Sequence, residues 1–430
     1  MSSPLKVGLA GLGTVGAGVA KVLRGHGQAL TWRAGRPIAI TAVSARDARR
    51  DRGVDLAGVH FEKEALALAE RRDVDVVVEL IGGDEGPARS LVEAALKSKK
   101  HVVTANKALL AHRGADLAAL AESQGVSLKF EAAICGGIPI VKALREGLVA
   151  YDISAVRGIL NGTCNFILTQ MEATRCPFAD VLAEAQSLGY AEANPTLDIG
   201  GGDTAHKLTL LASLAFGTVP DLDGVSITGI EKVTPADITF AAELGYRLKL
   251  LGVARRTPNG IEQRVHPAMV RARTPLADVE SSFNAVMVDA GEAGPFFFEG
   301  RGAGRGPTTS AVISDLIDVA RGAFGPTFGR PAGELASAHR APTETRRSAY
   351  YLRFQVLDVP GVMAEISRKL ADEAVSIESM IQRGRAPGEP VAIVMITHES
   401  PYASVVRALK AIAASDKVFE TPGMIPMEPA

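Results

Sequence analysis

The opening stretch LKVGLAGLGTVGAGVAKVL constrains the fold more than any other part of the chain. Leu5 to Ala10 is a short apolar run, the pattern of a strand buried on both faces. Gly11-x-Gly13-x-x-Gly16 follows at once, and a helix is expected from about Thr14 to Leu23. In such a unit Gly11 permits the tight turn, Gly13 lets the backbone approach a pyrophosphate, and Gly16 lets the helix pack on the strand with its N-terminus toward the phosphates. Alone the motif is weak. With a strand before it and a helix after it, it has the context it requires and reads as a dinucleotide site. The fold class is therefore α/β at the N-terminus, a Rossmann dinucleotide-binding domain drawn over 1–150.

The next strand is expected at Ile38 to Ser44. An NAD-selective site would place Asp or Glu at its end, for the ribose hydroxyls. Here the end reads Ser44-Ala45-Arg46, with Arg49, Arg50 and Arg52 close behind. A guanidinium suits a 2′-phosphate, so the reading is NADP, with use of NAD left open. Asp75 to Gly83 reads as a further buried strand, followed by a helix from about Pro87 to Lys97. HVVTANKALL then gives a strand, the turn Thr104-Ala105-Asn106-Lys107 and a helix. Strand-end loops form the ligand crevice of such a sheet, which puts Lys107 beside the nicotinamide. A helix N-terminus is an unfavourable place for a cation, and that cost points to function. A last strand is expected at Ser127 to Ala132. The Gly-Gly-Ile-Pro turn after it exposes carbonyl oxygens that, with Glu131, suit a hard cation.

The pattern changes near Tyr151 and indicates an α+β domain over 151–300. A strand, the turn Asn161-Gly162-Thr163 and a helix are followed by an amphipathic helix ending at Gly189. GYAEANPTLDIGGGDTAHK then places Glu192, Asp198, Asp203 and Lys207 in one short span. Asp203 is expected to cap the next helix, and its four-residue spacing puts Lys207 on the same face. That helix is apolar from Leu208 onward and should be buried, so its charged face needs a polar cavity. The carboxylates suit a ligand ammonium; the lysines suit its carboxylate or a reacting oxygen. Strand patterns recur in LKLLGVARR, IEQRVHPAMV and NAVMVDAGEAGPFFFEGRGAG. From Gly302 a glycine turn opens a helix, at about 305–325, expected to return to the first domain and complete it.

Residues 331–348 read as a linker. From 349 to 430 the order strand, helix, strand, strand, helix, strand forms a separate βαββαβ unit. With a net charge of −1 and no Lys/Arg stripe, nucleic acid is not an expected partner. No apolar run approaches a membrane span, and the start carries no signal-peptide pattern. Cys135, Cys164 and Cys176 make neither a disulfide framework nor a zinc pattern. A cytoplasmic protein is expected.

Taken together, GLGTVG, ELIGG, HVVTANKALL, EAAICGGIPI, GILNGTCNFILTQM, AQSLGYAEANPTLDIGGGDTAHKL, ELGYRLKLLG and GAGRGPTTS resemble the homoserine dehydrogenase family over nearly the whole chain. The tail with DVPGV resembles the ACT domain of the family's long bacterial form. The long motif over 186–208 is specific to this family, whereas GLGTVG is not.

The resemblance implies reversible NAD(P)-dependent interconversion of L-homoserine and L-aspartate 4-semialdehyde, on the route to threonine, isoleucine and methionine. Carried over by position, Lys207 exchanges the proton of the substrate oxygen and Lys107 lies at the reacting centre. Glu192 and Asp203 hold homoserine, while Asp198, Tyr190 and Thr163 help form the site. Leu12, Thr14, Val15, Thr104, Gly189 and Gly304 fall on cofactor-contact positions. Glu131 and the carbonyls of Ile134, Gly136 and Ile138 match a monovalent-cation site for Na or K. Cys135 departs from the smaller residue the family often has there. The ACT domain implies L-threonine as feedback effector, and a homodimer or homotetramer. Crowded cations are expected to depress a lysine pKa in the site. Two rivals are an aspartate-semialdehyde dehydrogenase using Cys135 as thiol nucleophile, and a sensor that binds nucleotide and amino acid without turnover.

Overall fold

The structure, a computed structural model, describes residues 3–382 and 389–428. The N-terminal sheet consists of β1 (Leu5–Ala10), β2 (Ile38–Ser44), β3 (His60–Glu62), β4 (Val76–Glu79), β5 (His101–Thr104) and β6 (Leu128–Lys129). Its order is β3-β2-β1-β4-β5-β6, and all its pairings are parallel. The order reverses between β1 and β4, and ligands of such sheets bind beyond the strand ends at that point. The helix Thr14–Gly25 begins there, directly after the glycine turn. A Cβ on Gly16 would lie 1.9 Å from the Gly11 carbonyl oxygen, so only glycine allows the helix to start so close to the strand.

The helix Arg305–Arg321 packs against the helix Thr14–Gly25. Its Val312, Leu316 and Val319 share one core with Leu5, Val7, Leu9 and Val78. The chain thus returns to the N-terminal sheet as the glycine turn before this helix suggests. Gly18 marks the crossing, since a Cβ there would lie 2.4 Å from the Thr309 hydroxyl.

Two strands are shorter than the apolar runs suggest. β4 stops at Glu79, whose buried carboxylate accepts the N–H groups of Ile81 and Gly82 and turns the chain. β6 stops at Lys129 because Glu131 donates its N–H to Asp315 Oδ2 instead of a sheet neighbour, and a 3-10 turn follows at Glu131–Ala133.

The second sheet contains β7 (Ala155–Ile159), β8 (Val225–Ile227), β9 (Tyr246–Thr257), β10 (Gly260–Arg271), β11 (Phe283–Asp289) and β12 (Pro295–Arg301). Past the short β13 (Arg347–Ser348), it continues into β14 (Tyr350–Leu357), β15 (Ile377–Gln382) and β16 (Pro390–Thr397). After β17 (Ser400–Pro401), which pairs with β13, comes β18 (Gly423–Glu428). β18 joins the two parts. It runs parallel to β10 at Met269 and Val270, and antiparallel to β14 from Tyr350 to Arg353. The order is β12-β11-β7-β9-β10-β18-β14-β16-β15, with β8 also on β10. The tail keeps its own core between the helices Val362–Asp372 and Tyr402–Ala413 and strands β14 and β16. The segment before it is packed rather than loose: Ala336 bridges to Thr218, and Arg340 pairs with Asp221 at 2.6 Å.

Candidate active site

The buried helix Gly202–Phe216 packs on β9 and against the helix Lys107–Gln124 of the first domain. Gly201, at φ +88°, occupies the N-cap, so Asp203 lies inside the first turn instead of capping it. This placement turns the Asp203 carboxylate toward two lysines. Lys207 Nζ lies 2.7 Å from Oδ2, and Lys107 Nζ lies 3.2 Å from Oδ1. Lys107 opens its helix just after Asn106, whose side chain caps it by accepting the Leu109 N–H and reaches back to the Gly83 carbonyl. One carboxylate therefore holds two ammonium groups from two domains.

Asn161 completes the cluster. Its Nδ2 donates to Asp198 Oδ1 and to Asp203 Oδ2, both at 2.8 Å. It also caps the helix Gly162–Thr174, so Gly162 and Thr163 belong to that helix and not to a turn. Lys207 Nζ further donates to the Leu160 carbonyl at 2.7 Å, which Asn284 shares at 2.9 Å. An ammonium has three protons; two of those on Lys207 are committed, leaving one for a ligand.

Burial would raise the Asp203 carboxyl, but the Lys207 and Lys107 ammoniums hold it well below the usual carboxylate range. Burial would likewise lower Lys207, yet the Asp203 carboxylate outweighs it and the pKa is raised. The expected depression of this lysine by crowded cations is thus reversed, because its nearest charge is an anion. Burial pushes the Asp198 carboxyl up, against the hydrogen bond from Asn161.

These groups face a cavity of about 620 Å³ between the two domains. Lys107, Lys207, Asp198, Asp203, Thr163, Gly189, Tyr190 and Gly304 all line it. The Thr163 hydroxyl donates to the Tyr190 carbonyl, and the Tyr190 ring stacks on Phe166. Gly189 and Gly304 have φ of +77° and +101°. Glu192 is placed elsewhere: it is exposed, two residues beyond Tyr190, and outside the cavity lining. Asn161, Asn284 and the Leu160 carbonyl are contributors that spacing does not single out; the only sequence signal is Asn161-Gly162-Thr163 ahead of a helix.

The glycine turn fits a dinucleotide. Gly13 is the N-cap of its helix, with no side chain capping the amides, and a Cβ there would meet nothing within 4 Å. Open space over uncapped helix amides is an anion cradle. Thr14 is exposed beside it, whereas Leu12 and Val15 pack on the core behind it. Thr104 is fully buried, and its hydroxyl is committed to Glu79 and Asn106, so it shapes the loop ahead of Lys107. Of the arginines after β2, Arg52 is spent on the carbonyls of Leu12, Asp47 and Arg50. Arg46 is exposed, with no ion pair among the described residues.

At the expected cation turn, the Glu131 carboxylate is already used: it accepts the N–H groups of Val141 and Lys142, each at 2.9 Å. Each carboxylate oxygen keeps a further lone pair, and the backbone oxygens of Glu131, Ile134, Gly136 and Ile138 lie at the same turn, where the Ile138 carbonyl also accepts the Ile140 N–H. Cys135 and Gly136 both have positive φ, which bends this turn sharply. The Cys135 thiol is buried, accepts from Asn284 and is pushed up by burial, a poor setting for a nucleophilic thiolate.

Comparison with known proteins agrees with this geometry. A family model described as homoserine dehydrogenase matches residues 139–317. One described as the homoserine dehydrogenase NAD binding domain matches 11–131, and one described as the ACT domain matches 350–414. The chain is 46% identical to a homoserine dehydrogenase of Neisseria gonorrhoeae, covering 99% of each chain. It is 43% identical to one of Pseudomonas aeruginosa over 96% of each. A crystal structure of a homoserine dehydrogenase from Thiobacillus denitrificans superposes with a TM-score of 0.94 at 44% identity, covering 99% of this chain and 98% of that one.

Proposed function

The chain belongs to the homoserine dehydrogenase family, and on that premise we propose how its own residues carry the reaction. It is an NAD(P)-dependent oxidoreductase acting on a CH–OH group, with a nicotinamide dinucleotide as cofactor. The observation that carries the proposal is the single Asp203 carboxylate shared by Lys207 and Lys107. When bound, the dinucleotide supplies or takes the hydride; its phosphates would rest on the amides after Gly11 and Gly13. In aldehyde reduction, negative charge grows on the substrate oxygen. Lys207, held as an ammonium by Asp203, gives that oxygen its remaining proton, and Lys107 stabilises the charge. In homoserine oxidation Lys207 must first lose a proton, which Asp203 opposes. Asp198 and Asp203 orient the substrate through its ammonium, with Tyr190 and Thr163 forming the wall and Glu192 closing from outside.

Finer readings rest on single features. Exposed Arg46 at the end of β2 supports NADP over NAD. The backbone oxygens around Cys135 and Gly136 suit Na or K. The ACT domain supports an amino-acid effector, read as L-threonine, and pairing into a homodimer or homotetramer. No helix among the described residues is long and apolar enough to cross a membrane. The test is oxidation of NADPH by the purified protein with L-aspartate 4-semialdehyde, repeated with NADH and with added L-threonine. Turnover that is faster with NADPH and reduced by threonine is expected. Dinucleotide binding without turnover would return the sensor reading.

A further inference from the structure

A second cavity, of about 480 Å³, lies at the joint between the middle domain and the tail. It exists because two strands share one edge of β10. β8 pairs with Gln263 to Val265, and β18 pairs with Met269 and Val270. Between them His266 and Pro267 are left facing a gap, which β14 and residues 421–426 close.

The charges around this gap do not balance. Glu262 is shared by Arg255, Arg264 and Arg346, with Arg346 at 3.7 Å, and Glu428 pairs with Arg264. Among the described residues on the lining itself, Lys232, Arg264, Arg346 and Arg353 face the single carboxylate of Asp237. Arg353 and Asp237 satisfy each other at 2.7 Å. Arg346 stacks on the Tyr402 ring, 4.8 Å from its centroid, and has no closer anion. Arg264 is 2% exposed and Tyr350 is 1% exposed. Neither Arg264 Nε nor the Tyr350 hydroxyl has a partner among the described residues. Buried donors of this kind are costly unless something fills the site. The rest of the wall mixes the apolar Val233, Val265, Met424, Ile425 and Pro426 with Lys232, His266 and the hydroxyl residues Ser226, Thr228 and Thr421.

We propose that this joint cavity binds a small carboxylate with a short apolar body and no ammonium group. Its carboxylate would be taken by Arg346, Arg264 and the Tyr350 hydroxyl. Among the described residues on the lining, Asp237 is the one carboxylate an ammonium could meet, and it is committed to Arg353, to the Tyr351 hydroxyl and to the Thr234 cap, while Glu262 and Glu428 lie behind the lining against Arg264. Simple and 2-oxo acids fit this description and amino acids do not, which separates the cavity from any amino-acid site of the ACT domain.

The wall of the cavity is also the floor of the catalytic turn. Val265 lines it, and its Cγ1 lies 3.0 Å from where a Cβ on Gly201 would be. Thr228 donates its N–H to the Val265 carbonyl, and Ile230 donates to the Ile199 carbonyl. Gly201 caps the helix that carries Asp203 and Lys207, so occupancy of the joint is felt at that turn. This coupling, though not the binding itself, rests on the catalytic reading above.

The test is isothermal titration calorimetry of the full-length protein with 2-oxobutyrate, butyrate, butylamine and inorganic phosphate, on wild type and Arg346→Gln. The two carboxylates should saturate one site per chain with a dissociation constant near about 1 mM or tighter. The affinity should fall roughly tenfold or more in Arg346→Gln, the loss of one charge-assisted bond, and recover in part in Arg346→Lys. Absence of saturable heat, undiminished binding in Arg346→Gln, or equal binding of phosphate or butylamine would overturn the site. The calorimetry needs no turnover, so it stands even if the catalytic reading fails. Binding of 2-oxobutyrate should also shift kcat for semialdehyde reduction in wild type and not in Arg346→Gln; binding with unchanged kinetics would overturn the coupling alone.

Discussion

Asp203 Oδ2 accepts the Lys207 ammonium at 2.7 Å, one turn along the same buried helix. Its other oxygen lies 3.2 Å from Lys107, on a helix of the first domain. The pair therefore does two things at once. It holds Lys207 as an ammonium, and it ties the middle domain to the N-terminal domain at the wall of their shared cavity.

Asp203→Asn should separate the two directions of the reaction by pH. Asp203 raises the Lys207 pKa, and without that charge burial lowers it. Homoserine oxidation needs neutral Lys207, so its rate rises with pH through that pKa. In the variant the rising limb should move to lower pH by about one unit or more. Semialdehyde reduction needs the ammonium and should fail at lower pH than in wild type. Full pH profiles of kcat in both directions check this; an unmoved limb would refute it.

Gly13→Ala and Gly16→Ala should behave differently although both alter the same motif. A Cβ on Gly13 meets nothing, so that variant should fold with an unchanged Tm while losing dinucleotide affinity by roughly tenfold, since the methyl fills the phosphate cradle. A Cβ on Gly16 falls on the Gly11 carbonyl, and that variant should lose about 2 kcal/mol or more of stability. Thermal melts paired with fluorescence titration of NADPH distinguish them.

Arg46→Ser should raise KM for NADPH by about tenfold, the loss of one charge-assisted contact, and leave KM for NADH within about twofold. Equal effects on both cofactors would show that Arg46 does not read the 2′-phosphate.

Glu192→Gln should raise KM for homoserine several-fold, on the order of the loss of one charged hydrogen bond, without changing NADPH affinity. An unaltered KM would leave Glu192 as the exposed surface residue it is in this structure.

The N-terminal domain was legible because its signals are local. The glycine motif, the apolar runs and the turn before Lys107 each act over a few residues, whereas the order in which the strands pair was not among those signals. The pairing of Asp203 with Lys207 was legible for the same reason, since they are four residues apart. What was hidden depends on distant partners. Gly201 takes the cap expected of Asp203 because a left-handed residue already turns the chain there. Asp315 ends β6 early from the far side of the domain. Asn161 and Asn284 join the cluster from a helix cap and from β11, and no spacing announces either. The direction of the Lys207 shift could not be read from a count of cations, because a 2.7 Å carboxylate outweighs them. The passage of the sheet through β18 depends on a pairing between the last strand of the tail and β10 in the interior of the middle domain.

The most direct test of the central claim is kcat for semialdehyde reduction in Lys207→Ala, measured beside NADPH affinity by fluorescence titration. A positioned proton donor is worth roughly 10²–10⁴-fold, so kcat should fall by that amount with NADPH affinity unchanged. A kcat close to that of wild type would contradict the assignment and move the proton to another group in the cavity.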